Sequence, residues 1–216
     1  MWPLRRPPQN LQAWGLDLLK TLLDNNAAWA GERVAQDPNY FKRLSDIQRP
    51  YYFWIGCSDS RVPANVIAGL EPGEVFVHRN VANLVNPGDL NCLSVLQFAV
   101  EALKVREIIV TGHYGCGGIA AAVDGERHGI IDHWLQPIRD TAAQRAAELE
   151  KLPEGRPRLD RLCELNVMAQ VRRVAETPIV QDAWKNGQEL LLHGLVYGLS
   201  DARLRYLGCT LPASAE

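Results

Sequence analysis

The chain has 216 residues, of which 47% are hydrophobic and 22% are charged, and its formal net charge is -2. These are ordinary values for a globular protein, and they exclude a disordered or fibrous chain. A net charge this close to zero gives no general attraction to nucleic acid or to an acidic membrane, so neither is predicted as a partner.

The length fits a single domain, predicted over residues 1–216, with about residues 1–20 as an N-terminal extension. Basic residues near the start are followed by a leucine-rich stretch that contains Asp17 and Lys20, so no secretory signal is predicted. No stretch reaches the roughly 18 apolar residues that a membrane helix needs. We therefore expect a soluble, cytoplasmic protein whose five cysteines are reduced.

Helix and strand patterns alternate along the chain. A helical pattern covers about residues 16–30, and Pro38 stands near the start of another helix. Short apolar runs typical of buried strands occupy residues 51–55, 75–77, 108–111 and 190–192. Helical periodicity follows Asp89, a candidate N-cap, and recurs from Leu162, while residues 153–157 have the composition of a surface loop. The sequence predicts an α/β fold with a mainly parallel β-sheet flanked by helices.

Two motifs follow predicted strands directly. Residues 57–61 read Cys-Ser-Asp-Ser-Arg, and residues 112–118 read Gly-His-Tyr-Gly-Cys-Gly-Gly. Because ligand sites in open parallel sheets gather outside the carboxyl ends of strands, the two loops can converge. Two thiolates and an imidazole, from Cys57, His113 and Cys116, are donors that zinc prefers, and three protein ligands leave a fourth position for water. The sequence therefore predicts a catalytic zinc site.

Other interpretations of these residues stay open. A permanent fourth ligand, Asp59 or a further cysteine, would make the zinc structural and the chain a zinc-stabilised interaction module. Cys57 and Cys116 as plain buried packing residues are a second alternative. Residues 115–120 also fit the pattern G-x-G-x-x-A of dinucleotide-binding proteins, with Asp132 downstream, but little chain separates them for a helix and a return strand.

The remaining histidines and cysteines lack a partner nearby in the sequence and are predicted to be packing or surface residues. They are His78, His128, His133, His193, Cys92, Cys163 and Cys209.

Through these motifs the chain resembles the beta-class carbonic anhydrases, from about residue 24 to residue 207. The resemblance is strongest in residues 54–65, 77–83 and 112–118. It implies an enzyme for the reversible hydration of carbon dioxide to bicarbonate and a proton, by attack of zinc-bound hydroxide. Activity that rises toward alkaline pH follows, since two thiolates neutralise the cation and make its water less acidic. Carbonyl sulfide or carbon disulfide as further substrates stay open.

The resemblance also implies roles for particular residues. Cys57, His113 and Cys116 would hold one zinc ion per chain. Asp59 and Arg61 would form a catalytic dyad beside it, in which Asp59 either takes the fourth metal position or is held away by Arg61.

Assembly follows from the same resemblance. It implies a homodimer or a tetramer in which the N-terminal helices pack on a partner subunit. The active site would lie at the dimer interface, with Val81 and Phe98 lining the substrate pocket.

One bicarbonate-regulated subgroup of the family, type II, is similar in a finer respect. There bicarbonate occupies a second, noncatalytic pocket and inhibits the enzyme allosterically. Trp54, Arg79 and Tyr197 stand at the positions of that pocket. Arg79 fits such a role because a cation at the end of an apolar strand favours an anion as partner.

Overall fold

The computed structural model describes residues 11–212, and their side chains from residue 17 onward. Contacts within the chain divide it into two units, which separate between Gln48 and Arg49 and are described here one at a time. Among the residues so described, no helix is both long enough and apolar enough to cross a bilayer.

The first unit contains two helices, α1 (Leu11–Gln36) and α2 (Tyr40–Asp46). Helix α1 extends beyond the predicted residues 16–30, and α2 begins two residues after Pro38, as expected. The two helices meet through the rings of Trp29 and Phe41, whose centroids lie 5.5 Å apart. A group of apolar side chains on α1 is more than one-third exposed, and its members are Leu18, Leu19, Leu22, Leu23, Trp29 and Val34.

The second unit is built on one five-stranded sheet with the order β2-β1-β3-β4-β5. The strands are β1 (Tyr52–Cys57), β2 (Val75–Asn80), β3 (Glu107–His113), β4 (Leu191–Gly198) and β5 (Arg203–Leu211). The first four strands pair in parallel, and β5 pairs antiparallel with β4. The predicted fold class, a mainly parallel sheet flanked by helices, is confirmed.

Helices and short turns connect these strands. They are α3 (Ala64–Ala68), a 3₁₀ turn (Val81–Asn83), α4 (Leu90–Gln97), a π-helical segment (Phe98–Ala102), α5 (Gly117–Val123), α6 (Ile131–Trp134), α7 (Gln136–Gln144), α8 (Ala146–Leu149), α9 (Arg156–Ala175) and α10 (Pro178–Lys185). Asp89 is the N-cap of α4, and its side chain accepts a hydrogen bond from the backbone N–H of Asn91, as predicted.

Two further sequence predictions differ from the structure. Residues 153–157 are a loop only as far as Gly155, because α9 begins at Arg156 and Pro157 fits the first turn, where no N–H is needed. Strand β5 was not predicted, since charged residues such as Arg203 and Arg205 interrupt its apolar pattern. Charge is common on an edge strand because it discourages pairing with a further chain.

Helix α9 lies close against β3 and β4 and closes the core over this face of the sheet. A β-carbon on Gly112 would stand only 2.6 Å from the side chain of Val167, so only glycine fits beneath the helix there. Val167, Val171 and Val174 are fully buried in the same core as Phe53. The helix thus fixes the end of β3, from which the second predicted loop leaves.

Candidate metal centre

The three predicted zinc ligands lie together at the carboxyl ends of two neighbouring strands. Cys57 is the last residue of β1, and His113 is the last residue of β3. Cys116 stands at the N-cap of α5, one short turn beyond His113. All three are buried, with exposed fractions of 5%, 1% and 5%.

The donor atoms of Cys57, His113 and Cys116 all lie within 4.8 Å of one another. The two sulfurs are 3.9 Å apart. The Nδ1 atom of His113 lies 3.1 Å from the carbonyl oxygen of Tyr114, to which it donates if it carries the ring proton, and this leaves the Nε2 lone pair for a ligand. Nε2 is buried and has no hydrogen-bond partner among the described residues.

A zinc ion fits this donor set. An imidazole nitrogen and two sulfurs within reach of one another are the ligand types that zinc prefers, and the unpartnered Nε2 of His113 would gain a bond. The structure therefore confirms that the predicted residues converge.

The electrostatics of the two thiols also favour a bound cation. The hydrogen bond shared with Cys116 is the main factor that lowers the pKa of Cys57, and the backbone N–H groups of Asp59 and Ala82 act in the same direction. The same contact and burial raise the pKa of Cys116. Two adjacent thiolates repel each other, so both sulfurs ionise together only when a cation lies between them.

Asp59 is held beside the metal group by Arg61. The guanidinium donates from Nε to Oδ1 at 2.9 Å and from Nη2 to Oδ2 at 2.6 Å, a two-pronged contact that suits a carboxylate. These bonds lower the pKa of Asp59 to about 2. Oδ2 of Asp59 also lies 3.7 Å from Nε2 of His113. Of the two arrangements open from the sequence, the structure has Asp59 held by Arg61.

Trp54, Arg79 and Tyr197 lie on the same sheet and the first and last are buried, with exposed fractions of 3% and 8%. Trp54 and Arg79 share one face, because Gly56, two residues after Trp54, pairs with Arg79. Tyr197 pairs with His113 in the register of β3 and β4.

The guanidinium of Arg79 contacts backbone carbonyl oxygens. Its Nε donates to the carbonyl of Cys57 at 2.8 Å, and its Nη2 donates to the carbonyl of Asp59 at 2.5 Å. The sequence predicted that Arg79 favours an anion as partner. In the structure its guanidinium is bonded to the loop that carries Cys57.

Val81 and Phe98, the predicted pocket residues, occupy different surroundings. Val81 begins the 3₁₀ turn after β2, and its Cγ1 would lie 3.0 Å from a β-carbon on Gly118, close to Cys116. Phe98 packs on Phe76 with ring centroids 5.8 Å apart, and 49% of it is exposed. The structure places Val81 against the loop of residues 112–118 and leaves Phe98 half-exposed beside Phe76.

Sequence reasoning missed the side chains that anchor the second loop. The Tyr114 hydroxyl donates to Glu164 at 2.6 Å, and Arg161 bridges Glu164 and Glu148. The Arg205 guanidinium lies 5.8 Å from the centre of the Tyr114 ring. In the sequence, the acidic Glu164 stands between apolar positions that α9 buries, which indicates a polar contact there. Its partner, Tyr114, could not be inferred because 50 positions separate the two residues.

The other thiols behave mostly as predicted. Cys92 and Cys163 are buried, and burial raises the pKa of each to about 12. Burial also raises the pKa of Cys209, which is half-buried.

One histidine has a closer set of neighbours than its sequence position indicated. His78, Asp89 and Cys92 offer donor atoms within 4.8 Å of one another. Two of these groups already have other partners, since Nε2 of His78 lies 3.2 Å from the Asn80 amide and Asp89 caps α4. Burial lowers the pKa of His78, so its ring is neutral at physiological pH.

The dinucleotide interpretation of residues 115–120 is wrong. Asp132 lies in α6, which follows α5 without an intervening strand, and its carboxylate pairs with Arg139 at 3.0 Å. A ribose-binding acid would have to end the next parallel strand.

The sheet topology and the buried Cys-His-Cys group at its strand ends define an α/β protein with a candidate metal site. A profile of the carbonic anhydrase family matches residues 52–204. Together with relatives named as beta-class enzymes, this match shows that the chain belongs to the beta-carbonic anhydrase family and is a lyase.

Two kinds of relative illustrate the match. A carbonic anhydrase of Emericella nidulans is 44% identical over 191 residues, which cover 88% of this chain and 84% of that protein. Among solved structures, a tetrameric beta-carbonic anhydrase of Sordaria macrospora superposes with a TM-score of 0.85 at 38% identity, covering 90% of this chain and 99% of that one. A Coccomyxa beta-carbonic anhydrase in complex with acetazolamide has a TM-score of 0.85 at 42% identity, covering 88% and 86%.

Proposed function

We propose that the chain hydrates carbon dioxide reversibly at a zinc ion held by Cys57, His113 and Cys116, one ion per chain. The observation that carries this proposal is the buried Nε2 of His113, which has no hydrogen-bond partner among the described residues and lies near two sulfurs at the carboxyl ends of β1 and β3. When bound, zinc supplies the Lewis acidity that makes water a strong nucleophile near neutral pH.

The protein residues then prepare the site for that chemistry. Tyr114 fixes the tautomer of His113 through its carbonyl oxygen. Asp59, kept ionised by Arg61, offers Oδ2 toward the site as a hydrogen-bond acceptor that orients the attacking water. Arg61 acts through Asp59 as a positioning residue, since its contacts are to the carboxylate.

The test is direct measurement of metal content and hydration rate. We expect about one zinc per chain and stopped-flow hydration that increases between pH 7 and pH 9. Chelation of the metal should abolish the activity and leave the circular dichroism of the sheet intact. Fully loaded protein without activity at alkaline pH would contradict the proposal, whereas global unfolding on chelation would favour a zinc-stabilised module.

A homodimer or tetramer is the proposed assembly, with the single functional domain spanning residues 1–216. The exposed apolar side chains of α1 support this, because Leu18, Leu22, Leu19 and Leu23 form a continuous apolar row at i, i+4 spacing. The tetrameric Sordaria macrospora relative is consistent with it. Sedimentation of the protein and of Leu22→Glu should show a multimer and a smaller species, respectively.

The substrate pocket is proposed to form between subunits. Val81 lies against the metal loop, and Phe98 is a large, half-exposed apolar residue that a second copy would cover. Phe98→Ala should raise KM for carbon dioxide while the zinc content stays unchanged. An unchanged KM in an assembled enzyme would remove Phe98 from the pocket.

We further propose that bicarbonate inhibits the enzyme at a second pocket formed by Trp54, Arg79 and Tyr197, as in the type II subgroup. Arg79 supports this coupling, since it contacts the carbonyls of Cys57 and Asp59 and an anion bound to Arg79 would compete with those contacts. Residues 57–61 would then be free to move, and the position of Asp59 relative to the metal would change.

Tyr197→Phe tests the pocket because it removes one hydroxyl and keeps the ring. We expect the inhibition constant for bicarbonate to rise about tenfold, as for a lost hydrogen bond to a charged ligand. Tyr206→Phe, on the exposed edge strand, is the control and should leave inhibition unchanged. Equal inhibition in all three proteins would exclude the pocket.

A cytoplasmic location is proposed as well, and imaging of a tagged chain in its host would test it.

A further inference from the structure

The turn after β2 has an unusual backbone for its sequence. Ala82 and Asn83 have φ values of 63° and 49°, in the left-handed region that residues with a β-carbon rarely adopt. Such conformations persist where the surrounding structure holds them, and they concentrate at functional sites. The turn from Val81 to Asn83 therefore needs outside support.

Side chains from distant parts of the chain supply that support. The indole Nε1 of Trp134 donates to the carbonyl of Val81 at 2.8 Å. The amide Nδ2 of Asn166 donates to the carbonyl of Ala82 at 3.0 Å, and Asn166 is fully buried. Two consecutive carbonyls of the turn are thus held by α6 and α9.

The amide of Asn166 is itself fixed in orientation. Its Oδ1 accepts from Nε2 of Gln170 at 2.9 Å, and Oε1 of Gln170 accepts from the backbone N–H of Val85 at 3.0 Å. Both amides are fully buried. Buried polar groups of this kind are strongly directional because an unmade bond there is unfavourable.

The supported turn forms one wall of the metal group. A β-carbon on Gly118 would meet Cγ1 of Val81 at 3.0 Å and Cβ of Ala82 at 3.1 Å, so the turn packs directly on the start of α5. Asn80, just before the turn, accepts at its carbonyl from the backbone N–H of Ser58 at 2.9 Å. Within the turn, the backbone N–H of Ala82 bonds the sulfur of Cys57, so the turn contacts both loops that carry the zinc ligands.

We propose that Trp134 and Asn166 are positioning residues that hold the left-handed turn from Val81 to Asn83 and thereby set the spacing of Cys57 and Cys116. The inference rests on the proposed zinc site and extends it to residues that contact no ligand atom. Loss of either side chain would let the turn relax toward ordinary backbone angles. The gap between the two sulfurs would then widen.

Trp134→Phe is the principal test, with Trp184→Phe as a matched control. Both indoles are partly buried, and each donates from Nε1 to a backbone carbonyl at 2.8 Å. Trp184 lies in α10 and donates to Leu190, just before β4, so it lies outside the metal group. Because each variant loses one hydrogen bond and a similar ring volume, the melting temperatures of the two variants should fall by similar amounts. Only Trp134→Phe should alter the metal site.

The readouts are zinc release to a chelator and the visible spectrum of the cobalt-substituted protein, whose sulfur-to-metal bands report thiolate geometry. We expect Trp134→Phe to release zinc about tenfold faster and to shift those bands, as for other residues that orient metal ligands. Asn166→Ala should change both in the same direction and more strongly. If it fails to fold, Trp134→Phe decides alone.

The outcomes separate this inference from the proposed function. A parent protein that holds zinc but does not hydrate carbon dioxide contradicts the function. An active parent in which Trp134→Phe and Trp184→Phe give the same spectrum and the same zinc release overturns the positioning role.

Discussion

The two loops that carry the metal-binding residues are held in different ways. The first, residues 57–61, is fixed by charged side chains near the surface, since Arg61 holds Asp59 and Arg79 holds two backbone carbonyls. The second, residues 112–118, is fixed by burial beneath α9 and by the contact of Tyr114 with Glu164. We therefore expect the second loop, with His113 and Cys116, to be the rigid part of the site, and the first loop, with Asp59 and Arg61, to be the adjustable part.

The largest expected effect lies in the rigid loop. Cys116→Ser replaces a sulfur donor that is 5% exposed by a weaker oxygen donor, so zinc should be lost and hydration should fall to the uncatalysed rate. Atomic absorption and stopped-flow assays measure the two quantities. Cys92→Ser, a fully buried thiol of α4 that packs in the same core as Phe53, is the control, and a zinc-loaded, active Cys116→Ser protein would contradict the site.

In the adjustable loop, Arg61→Ala should reduce kcat about 10- to 100-fold while zinc is retained, because Asp59 is no longer held in place. Arg145→Ala provides a comparison, since Arg145 is similarly exposed and pairs with Glu148 at 3.6 Å far along the chain. Its activity should match the parent. Loss of zinc from Arg61→Ala would contradict this prediction, because it would show that the metal binds only when Arg61 holds the first loop in place.

The ion pair of Asp59 and Arg61 also predicts how acid affects the metal-free protein. The pKa of Asp59 is lowered to about 2, below the unfolded value of about 3.9, so its contribution to stability is complete above the unfolded pKa. That contribution is lost as pH falls from about 4 toward 2. Since Arg61 is half-exposed, we expect at most about 1 kcal/mol.

Urea unfolding of the metal-free parent and of Asp59→Asn measures this contribution. The difference between them should be constant from pH 7 to about pH 5 and should shrink below about pH 4. A difference that instead grows on acidification would reverse the assigned shift.

The smallest expected effect is that of Tyr114→Phe. It removes the hydrogen bond to Glu164, but Arg161 still holds the carboxylate and the Tyr114 carbonyl still contacts His113. We expect a loss of about 1 kcal/mol in unfolding free energy and little change in zinc content. A marked loss of zinc would show that the side chain matters for the metal as well as for the fold.

The sequence predicted the metal group well because its chemistry is local. Cys57 and His113 each end an apolar run, and donors at strand ends converge in any parallel sheet. The four parallel strands were found for the same reason, although each was predicted too short at one end or both. Continuous burial gives a strong signal only in the middle of a strand.

Other features depend on contacts that the sequence does not display. Asn166 lies 84 positions from Ala82, and Trp134 lies 53 positions from Val81, so no spacing rule connects them. The left-handed angles at Ala82 and Asn83 are equally hidden, because neither residue is a glycine. Strand β5 was missed because its arginines hide an apolar pattern that is weak at a sheet edge.

The protected thiols of the core have a practical consequence. Cys92 and Cys163 have a pKa of about 12, so they stay protonated and react slowly with alkylating reagents in the native protein. The pKa of Cys209 and that of Cys116 are raised as well, so rapid labelling that begins when the metal is withdrawn should come from Cys57, whose pKa is lowered. The number of alkylated sulfurs in a mass spectrum therefore reports whether the metal site is occupied.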